Sequence, residues 1–442
     1  MKIQLPATVK AIIDTLQAKG FEAYAVGGCV RDSILGRKPD DWDITTSARP
    51  EQVKSIFGRT VDTGIAHGTV TVLFGSGAHE VTTYRVDGEY EDARHPREVT
   101  FTASLREDLR RRDFTVNAMA YNEREGLVDL YGGMKDLQQK IIRCVGDPME
   151  RFSEDALRIL RAVRFSAQLD FRIEQGTWEA VRKLAPTLSK ISAERICAEL
   201  TKLLLSAHPD YLRTAWEAGI TGIVLPEFDR MMETPQHNPH HCLNVGEHTL
   251  KSLCAVPPER LLRLTMLLHD MGKPQCRTTD RDGIDHFKGH GEVSAALAGQ
   301  IMRRLRMDND TIKKVVTLVR YHDWRMEPSQ RAVRLAVHRI GRGLFPAFLQ
   351  VQTADTMAQS PQYREKKLER IREVEEVYRE IQEVGQCVEL KELAVTGKDL
   401  IAIGVPPGPG MGKLLNAALE QVLEDPDKNT REYLLEFCRK NI

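Results

Sequence analysis

Two carboxylates separated by one residue, Asp41 and Asp43, carry the sharpest chemical signal in this sequence. Residues two apart on a strand point to the same face, and two acids crowded there repel each other unless a cation lies between them. The pattern suits two Mg2+ ions ~3.5–4 Å apart, one activating an attacking hydroxyl and one bridging phosphates. A solvated turn at Pro39-Asp40-Asp41 with ordinary surface acids is the competing reading, and these two residues alone leave both standing. Upstream, a predicted strand over 22–26 runs into Gly27-Gly28, and a helix is predicted to start near Val30. Glycines at such a junction let backbone N–H groups approach a triphosphate, and a helix N-terminus favours its charge. Gly28 is the candidate for that close approach, and Arg31, one turn in, adds a charge-assisted contact. With Gly-Gly-x-x-Arg-Asp upstream, the metal reading of Asp41 and Asp43 prevails.

Two further stretches have the residue types to handle a nucleotide. In DLRRRDFTVNAM (108–119), three consecutive arginines ending at Arg112 precede Asp113. A basic helix start with Asp113 as a local cap would be the plainer account, but a cationic cluster beside an acidic site favours a functional one. In EDALRILRAVRF (154–165), Ala156, Ile159, Leu160 and Val163 share one helical face and are expected to pack inward. Arg158 and Arg161 are expected on the opposite face, with Asp155 beside Arg158 at i,i+3 spacing. A carboxylate accepts from an exocyclic amino group and a guanidinium donates to a ring nitrogen or carbonyl oxygen. Together they can pair with the Watson–Crick edge of C or A and refuse U and G. A solvated Asp–Arg pair of little energetic weight is the alternative.

A separate constellation lies between residues 240 and 360. His248, the doublet His269-Asp270 and Asp355 are types that hold a divalent metal through imidazole and carboxylate. His290 and His322 could serve a second metal or a substrate phosphate, and Lys273 could hold an anion. His237, His240 and His241 are read as a histidine-rich loop without a role.

The elements that must position these groups differ along the chain. Up to about residue 135, short helices alternate with β-branched stretches; 61–74 and 79–85, joined by Gly75-Ser76-Gly77, read as a hairpin. Beyond about Gln138 the pattern is helical, including a highly charged helix over 366–382 expected to be exposed. At 442 residues the chain exceeds one core at ~100–200 residues per domain. The expected division is 1–135, 136–205, 206–385 and 386–442. Lys and Arg (63) balance Asp and Glu (63), so an RNA-binding surface would have to be a local basic patch. No apolar run is long enough to span a membrane, and the first residues lack a signal peptide's apolar core. Eight scattered cysteines without a C-x-x-C pair fit a reducing, cytoplasmic compartment.

The motif GG-x-VRD-x-x-L-G followed by D-x-D resembles the class II CCA-adding enzymes and bacterial poly(A) polymerases of the polymerase-β-like nucleotidyltransferase superfamily. The resemblance implies an α+β nucleotidyltransferase head, an all-helical neck, an HD-type body and a helical tail. It implies addition of CCA to the tRNA 3′ end from CTP and ATP with Mg2+. A third carboxylate would come from a neighbouring strand, with Glu80 the candidate by position. Arg112 would contact the nucleotide, Asp113 and Asn117 would lie on the ribose side, and DLYGG (129–133) would form a hinge where head meets neck. Asp155 and Arg158 would read the base, and Arg161 and Arg164 would bind the nucleotide. The stretch 84–109 is similar to the loop thought to reshape the pocket between C and A addition. The sequence order of His248, His269, Asp270 and Asp355 resembles the HD phosphohydrolase superfamily and implies a possible second divalent metal. Poly(A) polymerase or A-adding activity is the nearest alternative; an HD phosphohydrolase with a relic head is an alternative of another class. Oligomeric state is left open.

Overall fold

The computed structural model describes residues 2–75, 77–87 and 99–441. The chain forms two compact units, Met1–Pro226 and Glu227–Ile442. Among the described residues, no helix is long and apolar enough to cross a membrane.

The first unit is built on a seven-stranded mixed sheet. Its spatial order is Thr60–Gly64, Thr69–Phe74, Gly77–Thr83, Ile44–Thr46, Ala23–Val26, Met119–Asn122 and Gly126–Asp129. Only the pairing of Ile44–Thr46 with Gly77–Thr83 is parallel; every other neighbour in this sheet is antiparallel. Alternation explains the strands: Val70 and Val72 are fully buried, and Thr69, Thr71 and Leu73 around them less so. The helix Ala7–Ala18 lays Val9, Ile12, Ile13 and Leu16 into the core at 3–4-residue spacing. Each such side chain contributes about 1.5–3 kcal/mol by leaving water.

The stretch expected as one hairpin arm over 61–74 is two strands, Thr60–Gly64 and Thr69–Phe74, broken by a 3-10 turn at Ile65–His67. Gly68, at φ 81°, makes the turn that a side chain would resist. The hairpin itself is Thr69–Phe74 with Gly77–Thr83; Ser76 of its turn lies outside the described residues. So do residues 88–98 of the loop expected over 84–109, of which residues 85–87 and 99–101 pair as a two-stranded ribbon.

Helices follow: Pro148–Glu154, Leu157–Leu169 and Ala193–Leu204 close the first unit against its sheet-bearing half. The second unit is helical apart from one two-residue strand pair. Val245–Cys254, Arg260–Leu268 and Phe345–Ala358 supply its polar centre. The charged helix, Pro361–Val384, is longer than expected and not wholly exposed: Ile371, Val374, Tyr378 and Ile381 form one buried stripe. That stripe joins an apolar core with Phe345, Phe348 and Leu419.

Candidate functional site

In the first unit, Ala23–Val26 ends at Gly27, and a helix runs over Gly28–Ile34, starting two residues before the expected Val30. Gly27 takes φ 84°, ψ −130°, a conformation that only glycine adopts easily. A Cβ there would lie 3.2 Å from Arg112 Nη1, so the missing side chain lets the arginine close over the turn. Gly28 lies beside Arg31, whose Nη2 is 3.7 Å from where its Cβ would be. Arg31 is buried, pairs with Asp32 and donates from Nη1 to Asn117 Oδ1 at 2.6 Å.

Asp41 and Asp43 immediately precede the strand Ile44–Thr46. The strand pairing continues to Asp43, whose carbonyl accepts from Val26 N–H at 3.0 Å. This brings Asp43 beside the glycine turn. Asp43 keeps an exposed face but has enough protein around it for desolvation to raise its carboxyl above the usual range; Arg112 opposes this and the charge of Asp41 adds to it. Mutual repulsion between the two acids is the strain that a divalent cation would relieve, so the donor set fits one. Glu80 is exposed on Gly77–Thr83. The parallel register Ile44↔Val81, extended one residue, sets Glu80 beside Asp43.

The arginine cluster is organised by an acid that local pattern did not single out. Asp108 is fully buried; its Oδ1 accepts from Arg111 at 3.0 and 2.7 Å and its Oδ2 from Arg112 at 3.2 Å. Burial penalises its charge, yet Arg112 and Arg111 bring the carboxyl below the usual range. Asp113 accepts from Phe114 N–H at 2.9 Å and from Arg161 Nε at 2.8 Å; it is not the local cap considered above, since the 3-10 turn Thr115–Asn117 that follows starts from Phe114 without a side-chain cap. Against the desolvation cost, Arg161 holds the Asp113 carboxyl down at about 2. Arg161 Nη1 is 3.8 Å from Glu199, and Arg164 Nε pairs with the same carboxylate. Asn117 Nδ2 lies 3.4 Å from Asp113, so Arg31, Asn117, Asp113, Arg161, Glu199 and Arg164 form one continuous polar chain.

The stretch 154–165 departs from the expected single helix. Glu154 ends one helix, Leu157 begins the next, and Asp155 lies between them with extended backbone, φ −138°, ψ 102°. Asp155 Oδ1 accepts from Leu157 N–H at 3.1 Å, which replaces a helical turn with a side-chain cap. Its Oδ2 accepts from Arg195 at 2.8 Å. Arg158 is buried rather than on a solvated face, because the helix Leu157–Leu169 is enclosed nearly all round. Its guanidinium donates to Glu154, to the Arg151 carbonyl and to the Arg111 carbonyl, at 2.8, 3.0 and 3.0 Å. Arg164 lies 3.7 Å over the Phe165 ring. Arg195 and Glu199 carried no signal near the motif they support; each is about 35–40 residues from its partner.

The second unit gathers all six residues of the histidine–aspartate series. His248 Nε2 is 2.9 Å from Asp355 Oδ1 and 3.6 Å from Asp270 Oδ2. His269 Nε2 is 3.2 Å from Asp270 Oδ2, and Lys273 Nζ is 2.8 Å from the same atom. His290 and His322 join through Asp270 Oδ1 at 3.4 and 3.6 Å. Burial works against the charge on Asp270, and His269 and Lys273 more than reverse it, so the carboxyl stays well below its usual range. Burial lowers His248 and His290, which favours neutral imidazole, the form that binds a metal. The adjoining loop is less idle than its sequence suggested: His241 stacks edge-on to His248 with ring centroids 5.0 Å apart, and His240 lines a cavity of about 560 Å³ that opens onto the cluster.

Comparisons with known proteins agree with this layout. The family described as "Poly A polymerase head domain" matches residues 23–143. "Probable RNA and SrmB- binding site of polymerase A" matches 170–232, and "tRNA nucleotidyltransferase domain 2 putative" matches 290–438. The CCA-adding enzyme of Lactiplantibacillus plantarum is 36% identical over 99% of this chain and 97% of its own. That of Limosilactobacillus fermentum is 37% identical over 98% of each. Among solved structures, the CCA-adding enzyme of Bacillus stearothermophilus in complex with CTP superposes with a TM-score of 0.72 at 30% identity, over 99% of this chain and 98% of that one. With relatives matched from end to end and a glycine turn, paired carboxylates and arginine cluster gathered in the unit that carries the head match, this chain belongs to the family of CCA-adding enzymes.

Proposed function

We propose that this chain adds C, C and A to the 3′ end of tRNA without a nucleic-acid template, taking CTP and ATP and releasing pyrophosphate. The observation that carries the proposal is the conjunction, within one unit, of the Gly27 turn closed by Arg112 with the paired acids Asp41 and Asp43. The tRNA 3′-hydroxyl attacks the α-phosphate; an oxygen–phosphorus bond forms, the bond to the β-phosphate's bridging oxygen breaks, and pyrophosphate leaves. Asp41 and Asp43 would hold Mg2+, with Glu80 as third carboxylate; when bound, the metal supplies positive charge to the phosphates and lowers the pKa of the attacking hydroxyl. Gly28 and Arg31 cradle the phosphates and Arg112 adds charge. Asp155 and Arg158 read the base edge, while Arg161 and Arg164 bind the nucleotide. Orientation and preorganised charge account for the rate. The eight free thiols support a reducing, cytoplasmic setting. Functionally, we divide the chain at 135/136, 205/206 and 385/386.

The test is incorporation from labelled CTP and ATP, with Mg2+, onto tRNA lacking its terminal CCA, resolved at single-nucleotide length. Addition of C, C and A followed by a stop is expected. Extension by A alone would replace the proposal with an A-adding or poly(A) activity.

The buried cluster favours a second reading for residues 227–442: His248, His269, Asp270 and Asp355 hold a divalent cation and support hydrolysis of phosphoesters. Protein supplied with Mn2+, Ni2+ or Co2+ should cleave 2′,3′-cyclic nucleotides or simple phosphoesters. Untouched substrates under all three metals would remove the hydrolytic part.

A further inference from the structure

Three parts of the nucleotide site meet on one buried carboxylate. Asp108 lies on the inner face of the helix Leu105–Arg110 and is fully buried. Its Oδ1 accepts from Nε and Nη2 of Arg111 at 3.0 and 2.7 Å, and its Oδ2 from Nη2 of Arg112 at 3.2 Å. The buried hydroxyl of Thr45 reaches the same Oδ2 at 3.2 Å. Thr45 belongs to the strand Ile44–Thr46, two residues beyond Asp43, so the carboxylate is tied to the strand that leads out of the paired acids. A carboxylate offers about four acceptor sites, and these side chains take them up. Asp108 has neither the exposure nor the capacity to touch a nucleotide.

The two arginines pass that anchorage on in different directions. Arg112 Nη1 lies 3.2 Å from where a Cβ of Gly27 would be, over the glycine turn. Among the described residues, Asp108 is the carboxylate paired with Arg112, and Arg112 Nε is buried without an acceptor. The guanidinium is therefore held by one edge and turns the other to the glycine turn. Arg111 grips Asp108 with its side chain and acts through its backbone: its carbonyl accepts from Arg158 Nη2 at 3.0 Å. Out of water, charge-assisted bonds of this kind orient a guanidinium firmly.

We propose that Asp108 is a positioning residue that links the phosphate side of the nucleotide site to the base-reading side. Through Arg112 it fixes the charge over the Gly27 turn; through Arg111 it fixes the carbonyl on which Arg158 is seated. The proposal rests on the roles given to Arg112 and Arg158 above and adds the residue that holds both in register.

The test is single-turnover incorporation of CTP and of UTP onto tRNA lacking its terminal CCA, with Mg2+, and urea unfolding measured alongside. An amide has one acceptor oxygen and two N–H donors, so Asp108→Asn cannot serve both arginines. The maximal rate with CTP should fall about 100-fold, the cost of a misplaced group, and discrimination of CTP against UTP about tenfold. Groups that act as one unit do not add, so in an Arg112→Gln background Asp108→Asn should slow CTP by no more than about a further twofold and still lower the discrimination. A further loss as large as in the parent would overturn the arm through Arg112. A carboxylate that only held the fold together would lower the urea midpoint and leave rate and discrimination of the folded protein unchanged, which would overturn the proposal. If Asp108→Asn does not fold, Arg111→Gln cuts the link at a partly exposed guanidinium. Discrimination should then fall about tenfold with the CTP rate kept, and unchanged discrimination would overturn the arm through Arg111. No incorporation by the parent protein would overturn the proposed activity itself; normal incorporation by both parent and Asp108→Asn would overturn this proposal alone.

Discussion

Asp113 offers a test in which pH separates a structural ion pair from a passive acid. Its carboxyl is buried, accepts from Phe114 N–H and Arg161, and is held at about 2 instead of 3.8. At 1.36 kcal/mol per unit, that shift corresponds to about 2 kcal/mol of folded-state stability at neutral pH. Asp113→Asn keeps the size and an oxygen that can accept from Phe114 N–H but removes the charge. Arg161 retains Glu199 at 3.8 Å and some solvent, so the larger penalty of a wholly stranded charge does not apply. A depressed acid contributes above its unfolded pKa and loses that contribution as pH falls through the folded value. The stability difference between wild type and variant should therefore be flat above about pH 5, shrink below 3.8 and vanish near 2. Urea unfolding reports it, with Trp42, Trp178 and Trp216 in the first unit as probes. A loss of about 2 kcal/mol lowers the midpoint by roughly 1 M at the usual slopes. A difference below about 0.5 kcal/mol, the size of an ordinary surface change, or one independent of pH between 2 and 5, would refute the reasoning.

Other variants probe separate parts of the site. Asp43→Ala should abolish CTP and ATP incorporation while leaving the circular dichroism spectrum intact; near-normal turnover would sink the metal assignment. Gly27→Ala forces a side chain into φ 84° and towards Arg112, and should cost about 1–3 kcal/mol in urea unfolding and raise the KM for CTP. Glu199→Gln leaves buried Arg164 without its ion-pair partner; the loss should reach about 3–5 kcal/mol, and a neutral outcome would show that the guanidinium finds water instead. Arg195→Ala releases Asp155 from its 2.8 Å anchor and should lower discrimination of CTP against UTP about tenfold in single-turnover assays, and unchanged selectivity would remove Arg195 from any part in reading the base.

Local pattern revealed those features whose cause is local. Gly27-Gly28 marks a turn because a backbone near φ 84° excludes side chains, and β-branched alternation marks the strands that flank it. Periodicity over 154–165 identified the inward face of Ala156, Ile159, Leu160 and Val163 but ran straight through Asp155, since a helix break made by one side-chain cap does not change apolar spacing. It also set Arg158 in solvent: sequence shows a charge, not the carbonyls and the Glu154 carboxylate that make burial tolerable. Asp108, Arg195 and Glu199 were missed for a related reason. Asp108 read as one acid in a charged run, and the other two act across the fold on residues far from them in the chain. In the second unit the order His248, His269-Asp270, Asp355 singled out residues that the fold does bring together. The placing of Asp270 between two imidazole pairs depends on how the termini of three helices meet the inside of a fourth, which no local pattern shows.

The break at Asp155 has a mechanical consequence. In an unbroken helix, Asp155 and Arg158 would be gears on one shaft, fixed in relative phase by the backbone. Here the arginine is bolted into the shaft's bearing by its carbonyl contacts, while the carboxylate rides on the coupling between two shafts. That carboxylate is held by two partners, the Leu157 N–H and Arg195, and by no carbonyl of the core. Of the pair, the arginine is therefore the stationary reference and the carboxylate the adjustable part.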